Sequence, residues 1–210
     1  MSTQDLGFVH RYYPGESGVT LLLLHGTGGD ENDLVPLGRE LAREAGIVSP
    51  RGKVSEYGAA RFFRRLAEGV FDQEDLVLRT HELAGFIRAA AEEHTFDLAR
   101  LVAVGYSNGA NVAASLMLLH PGLLRAAVLF RAMVPFEPEE PPDLSGMPVF
   151  LAAGRGDRMI SPEHTERLAE ILREAGADLD LRWRDTGHPL TYEEVAEAKD
   201  WLSGVLPKLS

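Results

Sequence analysis

Gly105-Tyr106-Ser107-Asn108-Gly109 sets a serine between two glycines, directly after the apolar run Leu101 to Val104 and directly before the helical stretch Ala110 to Leu119. In that strand, turn and helix setting, G-x-S-x-G is a nucleophile elbow. The reason for the spacing is steric: the serine sits on a strained turn, so the flanking positions must be glycine for strand and helix to approach. A serine hydroxyl is a weak nucleophile near neutral pH and needs a base, itself oriented by a third group. Following Ser107 in the order acid then histidine, the chain supplies Asp157 in Gly154-Arg155-Gly156-Asp157 and His188 in Gly187-His188-Pro189. Each stands just past a strand-like run and just before a helix, so both fall on the same sheet edge as Ser107. His188 is expected to take the Ser107 proton, and Asp157 to hold its tautomer and stabilise the imidazolium.

Acyl transfer also needs backbone N–H donors aimed at the developing oxyanion. Leu24-His25-Gly26-Thr27-Gly28-Gly29 is a glycine-rich turn after a very apolar run, and the N–H groups of Thr27 and Asn108 are the expected donors. Read as a phosphate loop the turn fails, since no Lys follows and Asp30, Glu31 and Asp33 would repel phosphate. Asp30 to Asp33 lacks calcium-loop spacing, and His81-Glu82 lacks the second histidine of a zinc helix, so no metal is expected. His10, His81, His94, His120 and His164 fall on a strand or in helices and read as surface or capping residues. Asp185 is the rival acid, close to His188 along the chain but without an orientation that closeness can guarantee.

Short apolar runs alternate with amphipathic stretches along the whole chain, the pattern of a parallel sheet with crossover helices. The expected strands are Phe8 to Tyr13, Val19 to Leu24, Gly46 to Ser49, Leu101 to Gly105, Ala126 to Phe130, Val149 to Ala153 and Leu179 to Arg184. In the last, apolar residues alternate with charges, which puts it at an edge. Leu34, Leu37, Leu41 and Ala45 repeat at helical spacing, as do Leu83, Phe86, Ile87 and Ala90, and Leu168, Ile171, Leu172 and Ala175. Ser161-Pro162 opens that last helix and Gly176 closes it. Two segments break the pattern: Pro50 to Asp75, a long basic connection, and the Pro- and Glu-rich Arg131 to Met147.

The chain has 210 residues, no cysteine, 45% hydrophobic residues and a net charge of −11, so it reads as one domain over residues 1–210. Lacking cysteine, it has no disulfide, thiolate metal site or cysteine nucleophile. Its acidity argues against nucleic acid or an anionic membrane as main partner. Met1 to Phe8 has no leader pattern and no apolar run spans a bilayer, so membrane insertion is not expected and a cytoplasmic protein is.

Together, His25-Gly26-Thr27-Gly28, the Ser107 elbow, Gly154 to Asp157 and Gly187-His188 resemble the phospholipase/carboxylesterase family of small α/β-hydrolases. Ser107-Asn108-Gly109-Ala110-Asn111 and Arg61-Phe62-Phe63 look closest to its bacterial branch of short esterases related to the hydroquinone-stress hydrolases. The resemblance runs from about Val19 to the last helix. It implies an α/β-hydrolase fold, a mostly parallel sheet of about seven strands with helices on both faces and no large cap domain. It further implies no cofactor, and hydrolysis of carboxylic esters or thioesters through an acyl-enzyme, with a homodimer possible. In the family the loop after the third strand lines the acyl site, matching Pro50 to Phe63 by position.

Substrate contacts are accordingly expected from Arg61, Phe62, Phe63 and Arg131, with the two phenylalanines as apolar wall or core. Arg51, Lys53, Arg61, Arg64 and Arg65 against Glu56 alone give residues 51–65 a net charge of +4. Arg131, Arg155 and Arg158 follow strand ends. A locally cationic rim would favour anionic substrates; the alternative is that these side chains pair with surface carboxylates, at little gain each. Among reactions, short or medium acyl esters are favoured over thioesters and lysophospholipids. A catalytically silent, ligand-binding member of the fold is the other class, against which the intact Ser, His and Asp set argues.

Overall fold

The computed structural model describes residues 6–209; the reading of the first five residues as free of a leader lies outside them. Strands β1 (His10–Tyr13), β2 (Thr20–Leu24) and β3 (Gly46–Pro50) come first, with α1 (Val35–Leu41) between β2 and β3. Next are the short strands β4 (Val54–Glu56), β5 (Ala59–Arg61), β6 (Arg65–Ala67) and β7 (Val70–Phe71), and the long α2 (Gln73–His94). The chain then alternates: β8 (Leu101–Tyr106), α3 (Asn108–Leu119), β9 (Ala126–Phe130), β10 (Pro148–Gly154), α4 (Pro162–Glu174), β11 (Asp178–Arg184) and α5 (Tyr192–Val205). Seven strands form one sheet in the order β1-β3-β2-β8-β9-β10-β11, parallel except for β1 against β3. This is the α/β-hydrolase arrangement, with no large cap domain among the described residues.

Burial explains the sheet. Alternate residues of a strand face opposite sides, so a strand covered on both faces must be apolar throughout. Leu22 and Leu24 of β2, with Leu101 and Ala103 of β8, pack under α2, α3 and α4. Leu21 and Leu23, with Val102 and Val104, pack on the other face under α1 and α5. Strand β11, with its alternating charges, lies at the sheet's edge. Ser161 stands at the N-terminal boundary of α4 with extended backbone, Pro162 occupies its first turn, and Gly176 follows it with φ +86°.

Two expectations change. The first strand begins at His10, because Gly7 turns the chain at φ +76° and Phe8 packs its ring on Phe86 at 4.9 Å. The Pro50 to Asp75 connection is not a plain loop but two hairpins, β4/β5 and β6/β7. Tyr57 and Gly58 take φ +52° and +88°, the paired positive φ that a tight two-residue hairpin turn needs to match strand twist. Arg131 to Met147 remains irregular.

Candidate active site

At the carboxyl end of β8 the chain turns sharply into α3 at Ser107, whose φ of +52° and ψ of −114° lie in a strained region for a residue with a side chain. Both flanking glycines are required: a Cβ on Gly105 would stand 2.7 Å from the Ala110 backbone, and one on Gly109 would overlap the Leu24 carbonyl. Ser107 N–H is held by the Phe130 carbonyl of the neighbouring strand at 2.9 Å. The hydroxyl is thereby lifted above the sheet edge with the N-terminus of a 12-residue helix behind it, an environment that favours negative charge.

His188, on the loop between β11 and α5, meets both partners expected of it. Its Nδ1 donates to Asp157 Oδ2 at 2.7 Å, and its Nε2 accepts from Ser107 Oγ at 3.0 Å. Asp157, on the loop after β10, spends its other oxygen on the N–H groups of Met159 and Ile160, at 2.8 and 3.2 Å. One oxygen is thus anchored to backbone and the other aimed at the imidazole. Asp185 does not compete, since its side chain is 94% exposed and pairs loosely with Arg155. The remaining histidines are spent elsewhere: His10 meets His94 at 3.0 Å and His81 meets His120 at 2.9 Å.

The two expected oxyanion donors, Thr27 N–H and Asn108 N–H, have no acceptor among the described residues. The groups around them are fixed by the hairpin insertion. Gly28 N–H donates to Ala60 O at 2.9 Å, Phe62 N–H to Asn108 Oδ1 at 2.8 Å, and Arg61 Nη1 to Thr27 Oγ1 at 2.6 Å. His25 is buried; its Nδ1 donates to Gly26 O and its Nε2 accepts from Gly52 N–H, which requires the neutral ring. Burial accordingly pushes the His25 pKa down.

Of the expected substrate contacts, Arg61 lines the small cavity of about 40 Å³ beside Ser107, together with Thr27, Arg65, Phe71, Met133 and His188. Phe62 and Phe63 do not line it. They are 3% and 0% exposed in the core under α2, Phe62 packing on His25 at 4.7 Å, so the wall they build is structural. Arg131 is also corrected. Its φ of +57° turns the chain after β9, and its guanidinium, 0% exposed, bonds Glu194 at 2.6 and 2.8 Å, where no substrate reaches it. Burial alone would raise the Glu194 pKa, but the Arg131 and Thr191 hydrogen bonds hold it below the usual glutamate value.

The cationic rim is largely neutralised. Arg51 binds Glu31, Arg64 binds Asp72 and Asp75, and Lys53 binds Glu82. Arg61 and Arg65, the two that line the cavity, share Glu56. Sequence reasoning missed Glu194, Tyr106 and the Arg61 bond to Thr27. Thr191-x-x-Glu194 is a legible capping box, but nothing in it points to a partner 63 residues away.

Sheet order, elbow and loop placement define an α/β-hydrolase. The comparisons with known proteins narrow this further: residues 58–200 match the model of the dienelactone hydrolase family, and the chain belongs to that family. It is 50% identical over 192 residues to the putative hydrolase MhqD of Bacillus subtilis (strain 168), covering 91% of this chain and 96% of that protein. Among solved structures it is similar to a Bacillus cereus carboxylesterase, with 45% identity, a TM-score of 0.92 and 96% and 99% of the two chains covered. It is also similar to YahD, solved with malic acid, with 33% identity, a TM-score of 0.90 and coverage of 94% and 98%. The chain is an ester-hydrolysing enzyme of the carboxylesterase type, and none of its described helices is long and apolar enough to cross a membrane.

Proposed function

We propose that this enzyme cleaves carboxylic esters of short to medium acyl chains through an acyl-enzyme on Ser107, with His188 as base and Asp157 as its orienting acid. One observation carries the reading: a single imidazole bridges Ser107 Oγ and Asp157 Oδ2 at hydrogen-bond distance. With Nδ1–H committed to Asp157, the lone pair on Nε2 faces the serine. As Oγ attacks the ester carbonyl, its proton passes to Nε2 and the imidazolium is stabilised by Asp157. Negative charge gathers on the carbonyl oxygen, where the N–H groups of Thr27 and Asn108 and the α3 N-terminus receive it. Nε2–H then protonates the departing alcohol, and a water activated by the same nitrogen releases the acid.

The cavity beside Ser107 has room for about three waters, which favours the short end of the acyl range. A dicarboxylate on the similar YahD favours a narrower second reading, in which a carboxylate on the substrate meets the Arg61 and Arg65 side of the cavity. Labelling with a fluorophosphonate followed by peptide mass spectrometry tests the proposal. The adduct is expected on Ser107, together with loss of p-nitrophenyl acetate hydrolysis; an adduct elsewhere, or hydrolysis that survives complete labelling of Ser107, would refute it. Faster turnover of a hemisuccinate ester than of its neutral methyl ester, with the advantage lost in Arg61→Met, is expected only from the second reading.

A further inference from the structure

We propose that Arg131, with Glu194, is a positioning residue that holds the His188 loop in reach of Ser107; this rests on the reading of His188 as the base. The guanidinium carries five N–H donors in a planar fork, and here all of them face inward. Nε donates to the carbonyls of Gly187 and His188 at 3.0 and 3.1 Å, and Nη2 to Pro189 O at 3.1 Å. Three successive carbonyls of the base loop therefore converge on one cation. Nη1 meets Ala152 O at 3.4 Å, which ties the same group to β10, the strand that leads to Asp157.

Glu194 fixes the fork from the other side. It accepts from Nη1 and Nη2, and it is held in turn by Thr191 through the capping box that opens α5. Tyr106, the residue before Ser107, adds its hydroxyl to the His188 carbonyl at 3.2 Å. The base's own backbone is thus bonded both to the nucleophile's neighbour and to the clamp. A buried ion pair serving stability alone can often be replaced by apolar residues. It would have no reason to gather the carbonyls of residues 187 to 189. A lysine keeps the charge but, as a compact point donor, cannot serve the spread of acceptors.

The test uses Arg131→Lys and Glu194→Gln in the full chain, with folding checked by circular dichroism and thermal melting. Catalysis is read as kcat, KM and the acid limb of the rate profile on p-nitrophenyl acetate. A base displaced by about 1 Å costs on the order of 100-fold, so Arg131→Lys is expected to lose about that factor in kcat with KM nearly unchanged. Glu194→Gln is expected to lower kcat and also to move the acid limb to lower pH. It leaves the Arg131 cation uncompensated against the His188 carbonyl and so disfavours the imidazolium. The other groups facing that ring are Asp157, Ser107 and Tyr106, with Arg61, Arg65 and Glu68 on the cavity wall, and all are unchanged by the substitution.

If Arg131→Lys does not fold, the nearly isosteric Glu194→Gln decides. Variants that melt lower but keep wild-type kcat and acid limb would overturn the inference, as would a rise in KM alone, which would mark a substrate contact. Wild-type protein whose hydrolysis does not depend on Ser107 would instead overturn the functional reading beneath it.

Discussion

Ser107 stands between two supports built in opposite ways. On one side the hairpin insertion holds the Gly26 to Gly29 turn through bonds from Arg61 to Thr27 and from Gly28 to Ala60, and meets the elbow through one from Phe62 to Asn108. Its arginine pairs with a partly exposed Glu56 that also serves Arg65. On the other side the His188 loop rests on an ion pair that is 0% and 1% exposed and is bonded into β10 and α5. The insertion touches the substrate cavity; the ion pair does not. The difference separates two duties. The side that lines the cavity is held by separate hydrogen bonds to a short insertion, whereas the side that carries His188 is held by one buried ion pair.

Breaking the shared centre has the largest expected effect. Ser107→Ala or His188→Ala lowers kcat by about 10⁶-fold, and Asp157→Asn by about 10⁴-fold, measured on p-nitrophenyl acetate. Asp185→Asn leaves the rate unchanged, and a loss from Asp185→Asn in place of Asp157→Asn would reverse the assignment of the acid. On the base side, Arg131→Met strands the Glu194 carboxylate and costs about 3–5 kcal/mol of stability, read as a lowered denaturant midpoint. On the oxyanion side, Arg61→Met displaces rather than removes a donor. It is expected to cost about 10-fold in kcat/KM, below the 10²–10³ of losing a donor outright, with a smaller change in the midpoint. An Arg61 variant that unfolds as readily as the Arg131 variant would erase the contrast between the two sides.

The smallest effect is in pH. Glu194 is held below its usual pKa of 4.5 in the folded protein. Its contribution is therefore complete above that value and fades as the pH falls through the lower folded value. Wild-type stability is expected to drop below about pH 4.5 more steeply than that of Glu194→Gln, as followed by melting between pH 6 and 3.

Much of this arrangement was legible in the residues. The elbow shows because serine and both of its glycines fall within five residues, between an apolar run and a helical stretch. Asp157 shows because it follows an apolar run that a buried strand explains, and His188 because it follows a run that alternates apolar and charged residues as an edge strand does. Arg131 was legible only as a cation after a strand. Its inward turn depends on a positive φ, and the carbonyls and carboxylate it gathers from the His188 loop and α5 are more than fifty residues away. Phe62 and Phe63 misled for a related reason, since an aromatic pair beside a site reads the same as wall or as core until burial is known. The hairpins hid because strands of two or three residues carry no period, although Tyr57-Gly58 marks the first turn.

In the proposed mechanism the acyl group passes through Ser107. Rapid quenching of the enzyme mixed with p-nitrophenyl butyrate, followed by mass spectrometry of the peptides, tests it most directly. A transient butyryl adduct is expected on Ser107, forming within the burst of p-nitrophenol and absent from Ser107→Ala. Steady turnover with no acyl adduct at any time, or an adduct on another residue, would contradict it.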